Sequence, residues 1–120
     1  MTRLDALRAL EQKVAAGEAV PRSLIDAAFP QSLDLRIPVA WYVEWIMDDE
    51  EIRGLGAAQA IQHAVLPGCG WDVDATAPEC GVKVSIWSPE GPIIGVGDFY
   101  CEQRSRLLAI IRALIAEGEG

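Results

Sequence analysis

From Leu55 to Ala116 the apolar residues change their spacing twice, and few folds accommodate that pattern. Leu55, Ala58, Ile61 or Ala64, and Val65 form a stripe at helical spacing, the period of a helix buried along one side. Leu66-Pro67-Gly68 ends the run, because proline cannot continue a helix and glycine accepts the left-handed turn after one. The period then becomes two. Trp71, Val73 and Ala75 point one way and Asp72, Asp74 and Thr76 the other, and Val82, Val84 and Ile86 alternate with Lys83, Ser85 and Trp87. Ser88-Pro89-Glu90-Gly91-Pro92 reads as a turn, and Ile93 to Phe99 as a third strand that Gly95 and Gly97 weaken, where a bulge is expected. Links this short favour an antiparallel meander. Leu107, Leu108, Ile111, Leu114 and Ile115 restore the helical period from about Glu102 to Ala116, with Gly118 as its end. The expectation is an α+β chain with an α-β-β-β-α core over 55–116. Both helices would lie on one face of a three-stranded antiparallel sheet, and Val82, Val84 and Ile86 would meet the last helix through Leu107, Ile111 and Leu114.

The first 50 residues are expected to be helical. Thr2 and Asp5 stand at capping-box spacing, Leu4, Leu7, Leu10 and Val14 share a helical face, and Gly17 supplies the stop. Pro21 opens a second short helix, about Arg22 to Phe29, closed by Pro30. Leu33, Leu35 and Ile37 alternate until Pro38 interrupts them, after which Val39, Tyr42, Val43 and Ile46 form a stripe over about Pro38 to Met47. Trp41 and Trp45 widen its apolar surface. The polar side of the sheet, with Asp72, Asp74, Lys83, Ser85 and Trp87, is then either solvated or covered by this N-terminal part through Trp41 and Trp45.

A chain of 120 residues makes one domain, 1–120. Its net charge of −8 opposes phosphate backbones and anionic membranes, so direct nucleic-acid binding is not expected. No apolar run approaches a bilayer span, and Met1-Thr2-Arg3-Leu4-Asp5 is not the start of a secretory signal. A cytoplasmic location follows as the expectation. Cys69, Cys80 and Cys101 lack C-x-x-C spacing, and His63 is the single histidine that could join them as a metal ligand or serve as a catalytic base. Asp72 and Asp74 share a strand face, but a solvated sheet explains that alternation without a metal. Gly95-Val96-Gly97 lacks the following helix and lysine of a phosphate loop. Neither an enzyme, a cofactor nor a metal is expected.

Two features remain for function. Trp41 and Trp45 lie beside the acids Glu44, Asp48, Asp49, Glu50 and Glu51, and aromatic anchors with steering charges are the makings of a protein interface. Arg104 and Arg106, at the start of the last helix, are the candidate anion-binding pair.

The run Ala58-Gln59-Ala60-Ile61-Gln62-His63-Ala64-Val65-Leu66-Pro67-Gly68, followed by Trp71-Asp72-Val73, resembles the Phage ABA sandwich domain, in which an alanine-rich helix ends in Leu-Pro-Gly before a Trp-led strand. Ser105 to Ile115 is similar to that family's final helix. The resemblance covers about 55–116, departs at Gly54-Leu55-Gly56, where family helices open with a Ser-Leu-Asp cap, and carries no catalytic residue. It implies an α/β sandwich encoded by phage or prophage, and the chain is expected to be an accessory protein of that origin. The function expected is non-catalytic binding to a host protein with a basic surface, most concretely inhibition of a bacterial defence system in the manner of an anti-CRISPR protein. The alternatives are a structural, self-associating phage protein, including a homodimer, and a small-molecule sponge.

Overall fold

The computed structural model describes residues 2–29, 35, 37–48, 51–74, 81–99 and 101–119, with the side chains of Glu51 and Glu119 outside that description. Along the chain these residues form α1 (Arg3–Ala16), α2 (Arg22–Ala28), α3 (Val39–Met47), α4 (Glu51–Val65), β1 (Gly70–Asp74), β2 (Val82–Trp87), β3 (Ile93–Phe99) and α5 (Glu102–Glu119). The expected α+β order, with helices before an α-β-β-β-α core, is therefore present.

Local chemistry sets most of the boundaries. Thr2 accepts the Asp5 N–H at 3.1 Å while the Asp5 carboxylate accepts the Thr2 N–H, so the capping box is complete. Gly17 ends α1 at φ 72°, giving its N–H to the Lys13 and Val14 carbonyls. Pro21 and Pro38 immediately precede α2 and α3 with extended ψ angles, as proline at a helix entrance permits. Two helices run longer than their sequence patterns. α4 begins at Glu51 and passes through Gly54-Leu55-Gly56, because Gly54 lies against α5: a Cβ there would stand 2.9 Å from Cγ of Gln103. α5 likewise continues through Gly118, beside Leu4 of α1.

The sheet has the order β1-β2-β3 and is antiparallel throughout. Ile86 faces Gly95 but Trp87 faces Ile93, so the bulge falls at Ile94, just ahead of the two glycines. The glycines themselves have a different role. An added Cβ would lie 2.2 Å from the Ala109 carbonyl oxygen at Gly95 and 1.7 Å from that of Ser105 at Gly97. Backbone of β3 thus rests directly on the small residues Ser105, Ala109 and Ala113 of α5, four residues apart on one helical face.

That contact corrects the expected core. At about 100° per residue, Leu107 and Ile111 lie roughly 200° around α5 from Ser105 and Ala109, away from the sheet. They are fully buried all the same, because α1, α3 and α4 pack on the far side of α5. Among the described helices α5 makes the main contact with the strands, while α4 packs on α3 and α5 instead of sharing the sheet surface. Every residue from Gln103 to Ile111 is buried, as befits a helix enclosed between a sheet and a helical layer.

The opposite sheet face is left uncovered by α1 to α4. Trp87 and Ile93 on it remain 38% and 48% exposed. Register places Lys83 directly between Asp74 on β1 and Asp98 on β3, a charge ladder of the kind that solvates a sheet face. No helix among the described residues is long and apolar enough to cross a membrane.

Candidate functional site

α3 is amphipathic in an unusual sense. Ala40, Val43 and Ile46 turn into the core, and the adjoining side presents Trp41, Glu44 and Asp48, at i, i+3 and i+7. These three line a groove of about 440 Å³ whose opposite wall is Val20 of the α1–α2 link with Arg22 and Ile25 of α2. Trp41 is 50% exposed, so its indole is neither a core residue nor a free surface ring but half of an open apolar wall. Glu44 and Asp48 are exposed along its edge. Met47 also lines the groove, and its carbonyl accepts a hydrogen bond from the Arg104 guanidinium, which fixes the end of α3 against α5.

Trp45 has another environment. It is partly buried against the core, with Tyr42 edge-on at 5.7 Å and the Arg53 guanidinium 5.5 Å from its ring centre. Its role is to join α3 to α4. Of the acidic run, Asp49 and Glu50 lie outside the described residues, and Glu51 opens α4 with its side chain outside the description. The structure therefore brings Trp41, Glu44 and Asp48 into one groove and turns Trp45 out of it.

Arg104 and Arg106 do not converge. Two residues apart on α5, they leave it on opposite sides. Arg104 lies 5.3 Å from the Phe99 ring centre and reaches the α3 terminus, where a cation meets the negative end of a helix. Arg106 is 2% exposed; its Nε donates to Oε1 of the buried Gln62 at 2.8 Å, and its guanidinium stacks 3.9 Å from the centre of the Trp71 ring. One of its terminal nitrogens is buried with no hydrogen-bond partner among the described residues, and burial pushes its pKa below the ordinary value, with Glu102 acting in the opposite direction.

The remaining candidates are dispersed. His63 is exposed in the last turn of α4. Cys69 and Cys101 are half-buried, while Cys80 lies outside the described residues. Asp72 spends one carboxylate oxygen on the Val73 N–H at 3.0 Å. Among the described residues, no group of three or more His, Cys, Asp or Glu side chains is placed to hold a metal ion. Arg22 and Ile25 were not anticipated as groove residues. Nothing in a seven-residue helix announces which neighbour it will face, and only the stiff Pro21 entrance hints that its position is fixed.

No family model matches the chain, and neither a curated protein nor a solved structure matches it.

Proposed function

We propose that this chain acts by binding rather than by catalysis, seating a basic surface of a partner protein in the groove between α2 and α3. One observation carries the reading: Trp41 stands half in water on the wall of a concave site. A bulky ring in that position gains most when a partner removes the rest of its surface from solvent. Glu44 and Asp48 give the rim its negative charge, and the net charge of −8 adds long-range attraction for a cationic partner. The sequence resemblance adds a phage origin, and for a small acidic phage protein rich in tryptophan the most concrete form of this reading is an inhibitor of a bacterial defence system, with the host target as the basic partner.

The test is capture from host lysate with the parent, Trp41→Ala and the Glu44→Gln/Asp48→Asn pair. Loss of about 2 kcal/mol at an anchor ring weakens association about thirtyfold, so Trp41→Ala is expected to lose the captured protein while its melting temperature stays close to the parent's. The neutralised pair should retain it at low salt and bind more slowly. Equal capture by all three proteins would refute the groove as the contact.

Self-association is the second reading, and it has its own observation in Trp87 and Ile93 on the uncovered sheet face. Sedimentation equilibrium of the parent and Trp87→Ser distinguishes the two: a dimer that Trp87→Ser dissolves favours this reading over the first.

A further inference from the structure

A second cavity, of about 470 Å³, lies at the other end of the molecule, where α4 ends, the β2–β3 turn folds over and α5 finishes. Its walls are apolar, formed by Val65 and Leu66 after α4, Ile94 at the bulge of β3, and Ala113 and Ala116 on α5. Two carboxylates, Glu90 of the turn and Glu117 of α5, also line it, and among the described residues no basic side chain does. The field inside has a third source. α4 ends in the cavity wall at Val65, so the C-terminal end of that helix adds partial negative charge. The Cys69 thiol in its wall registers this environment: burial raises its pKa most, and Glu117 and Glu90 raise it further. Glu90 is held in place by Ser88, whose hydroxyl bonds its carboxylate, and that bond keeps the Glu90 carboxyl below its ordinary value and ionised.

We propose that this cavity is a binding site for a small organic cation with an apolar body, of the arylalkylammonium class. The apolar walls would take the hydrocarbon part, and Glu90, Glu117 and the end of α4 would take the charge. The volume falls in the range of small-molecule sites, roughly 300–1,000 Å³. Anions of the same shape are excluded by the same field. The site is separate from the α2–α3 groove, so its fate and that of the binding function above are independent.

The probe is 3-phenylpropylammonium, titrated into the full chain and followed by amide chemical shifts. Saturable shifts are expected at 65–69, 88–94 and 113–117, with weaker binding of 3-phenylpropanol and none of 3-phenylpropionate. Glu90 and Glu117 are exposed, so Glu90→Gln/Glu117→Gln should fold normally. Two surface charge interactions together make its affinity about fivefold weaker or more. Glu44→Gln/Asp48→Asn should bind as the parent does. A second readout needs no ligand: a cationic methanethiosulfonate should modify Cys69 about tenfold faster than an anionic one, measured by mass spectrometry of the Cys69 peptide. Equal affinity for the three phenylpropyl compounds, or equal modification rates, would overturn the proposal. So would binding of a Phe-Lys-Phe peptide without binding of the free amine, which would assign the cavity to a partner chain.

Discussion

Replacing Gly97 by alanine adds a single carbon where the backbone of β3 lies directly on α5. That Cβ would lie 1.7 Å from the Ser105 carbonyl oxygen and 2.6 Å from the Ala109 nitrogen. Both are helix backbone, so no side-chain rotation relieves the overlap. A carbon–oxygen contact needs roughly 3.3 Å, and α5 must therefore withdraw from β3 by about 1.5 Å at this point. A gap of even 0.5–1 Å forfeits about a quarter to a half of each dispersion contact, and α5 cannot retreat freely because α1, α3 and α4 back it. Overpacking of a well-filled core costs about 1–3 kcal/mol, and a clash with backbone belongs at or above the top of that range. At about 4 °C per kcal/mol for a domain of this size, Gly97→Ala should lower the melting temperature by about 12 °C or prevent folding. Gly95→Ala, at 2.2 Å from the Ala109 oxygen, should cost somewhat less. Gly56→Ala is the control: it meets nothing within 4 Å on an exposed face of α4. It should add about 0.5–1 kcal/mol through helix propensity. Circular dichroism melts of the three variants settle the matter. A Gly97→Ala protein that melts within about 2 °C of the parent would refute the direct backbone contact of β3 with α5.

Arg106→Met should cost about 1–3 kcal/mol in urea denaturation because the buried Gln62 Oε1 loses its donor, whereas Arg106→Met/Gln62→Leu should recover the loss, since paired buried polar groups are often replaceable by apolar ones. A double variant less stable than the single would contradict that account. Alkylation of Cys69 by iodoacetamide should require higher pH than alkylation of a free cysteine: the thiolate reacts, and the raised pKa keeps the thiol protonated until the pH climbs past the usual range. Glu90→Gln/Glu117→Gln should move the midpoint of the rate–pH curve partway back down, leaving the contribution of burial, and an unshifted parent midpoint would count against it.

The order of elements was legible because each switch of hydrophobic period has a local cause. Thr2 and Asp5, Gly17, Pro21, Pro38 and Leu66-Pro67-Gly68 act within a few residues of themselves, and every one ends or begins an element where expected. Layering was not legible. Amphipathicity says that Leu107 and Ile111 are buried but not against what, and α5 is covered on both sides. The signal that would have oriented it is the triplet Ser105, Ala109, Ala113 opposite Gly95 and Gly97. Small residues at four-residue spacing beside glycines at two-residue spacing describe a helix lying on bare strand backbone. Judged as strand propensity alone, those glycines read as weaknesses. Gly54 misleads in the same way, since its value lies in how closely α4 approaches Gln103.

The candidate site divides along the same line between local and distant causes. Trp41, Glu44 and Asp48 share a side of α3 by helical spacing, which the sequence contains, but the groove exists only because Val20, Arg22 and Ile25 arrive opposite them. Trp45 is one turn from Trp41 and belongs to the same stretch of sequence, yet Arg53 and Tyr42 take up its ring. This difference makes the pair informative. An indole packed between Tyr42 and Arg53 stabilises the α3–α4 contact, so Trp45→Ala should lower stability by a few kcal/mol and affect partner binding only through unfolding. Trp41→Ala should have the opposite signature, with stability nearly unchanged and binding lost. If instead Trp41→Ala destabilised the fold as much as Trp45→Ala, the half-exposed ring would be a packing residue and the groove would lose its anchor.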